Sequence, residues 1–121
     1  MSDGLKYEQP PRMSRREIEE AFLSGDGDRI GSALISALYT EDGASILDWC
    51  LRFIDHQQVV ARYSVALVLG SLAILSGDEI DLPKCREAVE QLCRDPDEEV
   101  RTAARDALAD VLRSIELQGA S

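Results

Sequence analysis

Residues Asp95 to Leu112 read DPDEEVRTAARDALADVL, and a fainter copy of this pattern lies 39 positions earlier. The stretch encodes a loop, a helix N-cap, a valine-arginine pair on the first turn and an alanine/leucine stripe at helical spacing. At that shift Ile46 meets Cys85, Trp49 meets Ala88, Cys50 meets Val89, Phe53 meets Leu92 and Ile54 meets Cys93. Further on, Val65 meets Ala104, Val68 meets Ala107, Leu69 meets Leu108 and Leu72 meets Val111, while Arg62 meets Arg101. Apolar positions fall on apolar positions and the arginine is kept. A self-match at this period is the signature of repeated helical hairpins, each of which buries its apolar face only against a neighbour.

The rest of the chain fits the same scheme. Ser14 and Glu17 form a capping box ahead of Ile18, Phe22 and Leu23. The turn Gly25-Asp26-Gly27-Asp28 ends that helix, and Asp28 is expected to cap a second one carrying Ile30, Leu34, Ala37 and Leu38. A turn at 40–43 leads to a third helix, about 44–55, with Ile46, Trp49, Cys50, Phe53 and Ile54 on one face. A fourth, about 58–75, is apolar nearly all round and is therefore placed at the centre. A fifth, about 83–94, starts at Pro83, where a missing N–H costs nothing. A sixth runs about 97–117. A shift of 31 lays Ile18 on Trp49, Phe22 on Phe53 and Leu34 on Val65, which makes the first hairpin a degenerate copy. The expected organisation is a polar leader at 1–13, one domain at 14–117 with hairpins at about 14–40, 43–76 and 83–117, and a tail at 118–121.

Asp95, Pro96, Asp97, Val100, Arg101, Ala104, Ala107 and Leu108 resemble the D-P-D-x-x-V-R-x-x-A-x-x-A-L core of HEAT repeats, especially the short HEAT-like type. The middle copy departs from it: His56, Gln57 and Gln58 stand for D-P-D and Ala61 for the valine. The resemblance implies an all-α, short right-handed α-solenoid of about three hairpins, with the second helices lining a groove that binds proteins. It also implies that the repeat arginine reaches acceptors in a neighbouring loop, Arg101 finding one near Arg62 or Asp55. Bilin lyases and metal-dependent hydroxylases share such repeats, but a single histidine excludes the paired His-Glu set of the latter.

Composition narrows the partner. Net charge is −10, which argues against nucleic acid and against an anionic membrane surface and favours a basic protein. The longest apolar stretch, Val65 to Leu75, is interrupted by Gly70 and Ser71, so no membrane-spanning segment is expected. The N-terminus has no apolar h-region of a secretory signal. Three cysteines is an odd number, and Cys85 and Cys93, eight apart on one helix, stand roughly 12 Å apart along the axis, too far for a disulfide. Reduced thiols and a cytoplasmic location are the expectation.

Few residues suggest chemistry. His56 is the only histidine and sits where Asp95 stands in the next copy, so it reads as a loop or cap residue. The cysteines align with core positions and read as small hydrophobes. Glu17, Glu19 and Glu20, like Asp97, Glu98 and Glu99, lie in first turns, where the helix dipole favours negative charge. No metal, cofactor or catalytic residue is expected. Trp49 and Phe53, four apart, read as core.

Candidate contact residues are Tyr39 and Tyr63 on the second helices, Glu98, and the loop acids Asp78, Glu79 and Asp81, which flank Ile80 and Leu82. The expectation is a non-catalytic protein-interaction module for a basic partner, in its most concrete form an immunity- or antitoxin-type inhibitor of a toxin such as a nuclease. The alternative is an assembly subunit that stacks on another helical-repeat protein or self-associates, with the chain itself a monomer or weak dimer.

Overall fold

The computed structural model describes residues 13–119. The leader expected at 1–13 therefore lies outside the described residues except for Met13, whose N–H donates to Ser36 Oγ at 3.0 Å. The described chain is all-helical: α1 (Arg15–Ser24), α2 (Gly27–Ala37), α3 (Gly43–Phe53), α4 (Val59–Ser76), α5 (Leu82–Leu92) and α6 (Glu98–Gly119), with no strand among the described residues. α6 continues through Gly119, so residues 118 and 119 are helical where a tail is expected.

Local chemistry sets most of the boundaries. Ser14 and Glu17 exchange both bonds of the capping box. Gly25 ends α1 at φ 75°, a conformation that glycine adopts without steric penalty. The chain restarts at once, so Asp26, and not the expected Asp28, caps α2 by accepting from Arg29 N–H. Asp42 caps α3 and Asp81 caps α5 in the same way. Asp97 accepts from Val100 N–H at 3.0 Å at the head of α6.

Each odd-numbered helix packs on the even-numbered helix that follows it, and α4 packs against α2 on one side and α6 on the other. Gly27 lies against Gln58 and Val60, and Gly31 against Ser64, so α2 and α4 run in the same direction. Gly70 against Ala107 and Gly77 against Ser114 show the same for α4 and α6. At Gly70 the approach is so close that a Cβ would stand 3.0 Å from the Ala107 Cβ. The result is a spine of three parallel helices, α2, α4 and α6, with α1, α3 and α5 laid on it.

One continuous core fills the space between. Ile18, Ile30, Leu34, Ile46, Val65, Leu69, Leu72, Val89 and Val100 are essentially fully buried. Phe22 meets both Trp49 and Phe53 with ring centroids 5.1 Å apart, joining the first pair of helices to the second. Leu108, expected in the stripe, is only half-buried, whereas its counterpart Leu69 is sealed. The reason is position: α4 has spine helices on both sides, and α6 on one.

α4 accounts for a further difference from the sequence reading. Val59–Ser76 forms one unbroken helix of 18 residues with mean hydropathy 1.8, long and apolar enough to cross a membrane by length and composition alone. Half of it is buried within the fold, where Ala61, Val65, Val68, Leu69 and Leu72 meet the flanking helices. Its all-round apolarity follows from its central place.

Candidate functional site

The turns inside the three helix pairs lie side by side, stitched by polar bonds. His56 Nδ1 accepts from Gln58 N–H at 3.0 Å, which puts the ring proton on Nε2, 3.2 Å from the Gly25 carbonyl that accepts it. Gln58 does not cap its own helix; its side-chain oxygen accepts from Gly27 N–H of the preceding turn. Gln91 donates to Asp55 at 2.8 Å. Arg62 reaches forward to Asp95 with Nε 2.7 Å from one carboxylate oxygen and Nη2 3.2 Å from the other. Asp95 also accepts from Asp97 N–H at 2.9 Å.

The repeated arginines behave as copies. Arg62 Nη1 donates to the carbonyls of His56 and Gln57, and Arg101 Nη1 donates to those of Asp95 and Pro96, positions related by the same 39-residue shift. The reach into the neighbouring loop is thus made by Arg62, while Arg101 bonds its own loop at the residue that Arg62 holds. Burial works to raise the Asp95 carboxyl, but hydrogen bonds from Arg62 and Asp97 and the charges of Arg62 and Arg101 outweigh it and hold the group below the usual carboxylate range. The Asp95 bonds in turn raise Arg62. Within this cluster Arg62, the Asp95 carboxylate and both His56 ring nitrogens are engaged inside the fold.

The thiols show no sign of activation. Burial pushes Cys50 far above the ordinary thiol range and Cys85 up to about 11, and it raises half-buried Cys93 as well. Cys85 Sγ donates to the Leu69 carbonyl at 3.8 Å. Trp49 and Phe53 lie in the core, and Arg15 stacks over the Trp49 ring at 5.3 Å. Among the described residues no group of three or more His, Cys, Asp or Glu is placed to hold a metal ion.

An open groove of about 700 Å³ lies between α4 and α6, floored by Tyr63 and Leu67 and walled by Glu98, Glu99, Thr102 and Asp106. Tyr63 and Leu67 are 37% and 41% exposed, and Val60 and Ile74 continue the apolar row at 38% and 62%. These side chains recur at i, i+3, i+7 and i+14, one face of the helix. Glu98 and Glu99 come from the first turn of α6, where the helix dipole also favours carboxylates, and Asp106 from two turns further on.

The groove brings together two of the residues expected from sequence, Tyr63 and Glu98. It leaves out the others. Tyr39 is 69% exposed just beyond the end of α2. Asp78 and Glu79 are exposed in the turn after α4, and Asp81 spends its carboxylate on Lys84 N–H as the α5 cap. Ile80 between them turns inward against Gly43.

Leu67, Glu99 and Asp106 were missed, although the repeat itself carried the signal. At the 39-residue shift Val60, Tyr63, Leu67, Ser71 and Ile74 fall on Glu99, Thr102, Asp106, Asp110 and Arg113. Positions that are apolar in one copy and polar in the next are those that no neighbour covers. No family model, no curated protein and no solved structure matches this chain.

Proposed function

We propose that the chain is a short HEAT-like α-solenoid acting as a non-catalytic protein-interaction module, and that its partner is a basic protein received on the α4–α6 side. One observation carries this reading: an open groove with an apolar floor of Tyr63 and Leu67 and a wall of three carboxylates, Glu98, Glu99 and Asp106. An apolar centre with a charged rim is the composition of a recognition surface, and a net charge of −10 extends the same field over the molecule and speeds encounter with a cation. The arginine pairs at the turns, repeating at 39 residues, support the solenoid reading. The engaged His56 nitrogens and the raised Cys50 and Cys85 thiols support a role without catalysis. Three free thiols suit a reducing compartment.

In its narrower form the module is an immunity- or antitoxin-type inhibitor, holding a basic toxin by the charges that the toxin uses elsewhere. The test is capture from host lysate on the immobilised protein at low and high salt, followed by purification of what is retained and titration of the pair. A basic protein bound stoichiometrically, with affinity falling as salt rises, is the expected result. Retention only of neutral or acidic proteins overturns the reading.

A second reading has its own observation. Tyr39, Leu75 and Leu117 are each at least 65% exposed and stand where the three parallel spine helices finish. That apolar rim suits stacking on another helical protein or on a second copy. Light scattering at rising concentration measures it: a mass that stays at one chain removes self-association.

A further inference from the structure

The apolar row on α4 has the spacing of one helix reading another. Val60, Tyr63, Leu67 and Ile74 cover about 21 Å of axis, four turns, in steps of about 4.5 and 6 Å, with polar Ser71 taking the position between Leu67 and Ile74. Those are the steps at which the side-chain rows of a packed helix fall into the gaps of its neighbour. An extended segment offers same-side residues about every 6.7 Å and does not keep this register. On the α6 side the row is flanked by carboxylates, Glu98 and Glu99 in the first turn of that helix and Asp106 two turns further. Asp110 continues the wall by one more turn, and beyond it Arg113 takes the position equivalent to Ile74, so the negative charge ends before the apolar row does.

We infer that the occupant of this groove is a cationic amphipathic helix of the partner, its apolar face seated on Tyr63, Leu67 and Ile74 and its lysines or arginines along the flank that meets Glu98, Glu99 and Asp106. The inference rests on the proposed binding function and adds the chemistry and shape of what is bound. Its positive charge is concentrated on the half lying over the first turns of α6, away from Arg113. This fixes the direction in which the helix lies.

A displayed library of randomised segments about 16 residues long, enough for four turns, is the probe. It is selected on the full chain and the enriched sequences are made as peptides. Expected sequences carry large apolar residues at i, i+3 or i+4, and i+7, with lysine or arginine confined to one flank and one half. Their affinity falls about ten-fold or more on Tyr63→Ser with Leu67→Ser, a change at exposed positions whose folding is checked by circular dichroism. Glu99→Gln with Asp106→Asn weakens binding to a similar degree and serves as the deciding arm if the first variant unfolds. Glu19→Gln with Glu20→Gln, the same change of charge on α1, leaves affinity within about two-fold, which separates the groove from general attraction to an acidic protein.

Peptides that are basic but bind the groove variants as tightly as the parent overturn the inference while leaving the binding-module reading in place. Enrichment of basic sequences without helical spacing also overturns it. Enrichment of acidic sequences, or of none, overturns both.

Discussion

At the scale of single residues, Asp95 is where the turns are held together. Its carboxylate takes the Nε–Nη2 edge of the Arg62 guanidinium and the Asp97 N–H, and its carbonyl takes Arg101. Asp95→Asn keeps the shape and removes the charge, leaving Arg62 with carbonyls and a neutral amide. The expected cost is about 1–3 kcal/mol at neutral pH, below that of a deeply buried pair because water reaches the guanidinium. The pH dependence has a definite sign. The folded-state carboxyl titrates below its ordinary value of 3.8, so its stabilisation is complete above that value and is lost as pH falls through the lower folded one. Urea unfolding of parent and variant should therefore show a gap that is full at pH 7 and closes below about pH 4. A gap that persists unchanged to pH 2 would place the stabilisation in some other group. The aspartate was legible from sequence as a cap, and its pairing with Arg62 was not, because that bond depends on how two turns 33 residues apart come to lie side by side.

Among the helices, the decisive variable is the number of neighbours. α4 and α6 carry copies of one pattern, yet Leu69 is sealed and Leu108 is not, because only α4 has spine helices on both sides. Leu69→Ala is expected to cost about 3–5 kcal/mol and Leu108→Ala about 1–2 kcal/mol, since a half-buried leucine loses fewer contacts and leaves a space that solvent fills. Equal shifts of the thermal midpoint for the two variants would contradict the end position of α6. The helices were legible from local chemistry and periodicity, Ser14 with Glu17 marking the start of α1 and Pro83 that of α5, whereas Asp81, expected as a contact residue, is the α5 cap. The exposed face of α4 was harder to read. Apolarity there has two causes, burial on three sides and an uncovered row on the fourth, and periodicity within one helix does not separate them. Comparison of Leu67 with Asp106 across the repeat does. Tyr39 shows the opposite failure: its type suits a contact, but the end of α2 carries it away from the groove.

For the molecule as a whole, charge is the dominant property. A net charge of −10 on 121 residues repels itself in the folded state more than in the expanded one. Raising the salt from about 0.05 to about 0.5 M, which shortens the screening length from over 10 Å to about 4 Å, is therefore expected to raise the thermal midpoint by a few degrees. A fall would mean that attractive pairs such as Arg15 with Glu41 outweigh the repulsion. The bonds between successive turns carry a different consequence. They span 31, 33 and 36 residues and join only neighbouring turns. Assembly then never waits for the two ends of the chain to find each other: each closure is a loop of about one repeat, and the entropy lost per closure grows only with the logarithm of loop length. Such a chain has short-range topology and the fast folding that goes with it. Order can begin at the middle pair and spread to either side, as a crystal grows from a seed along one axis.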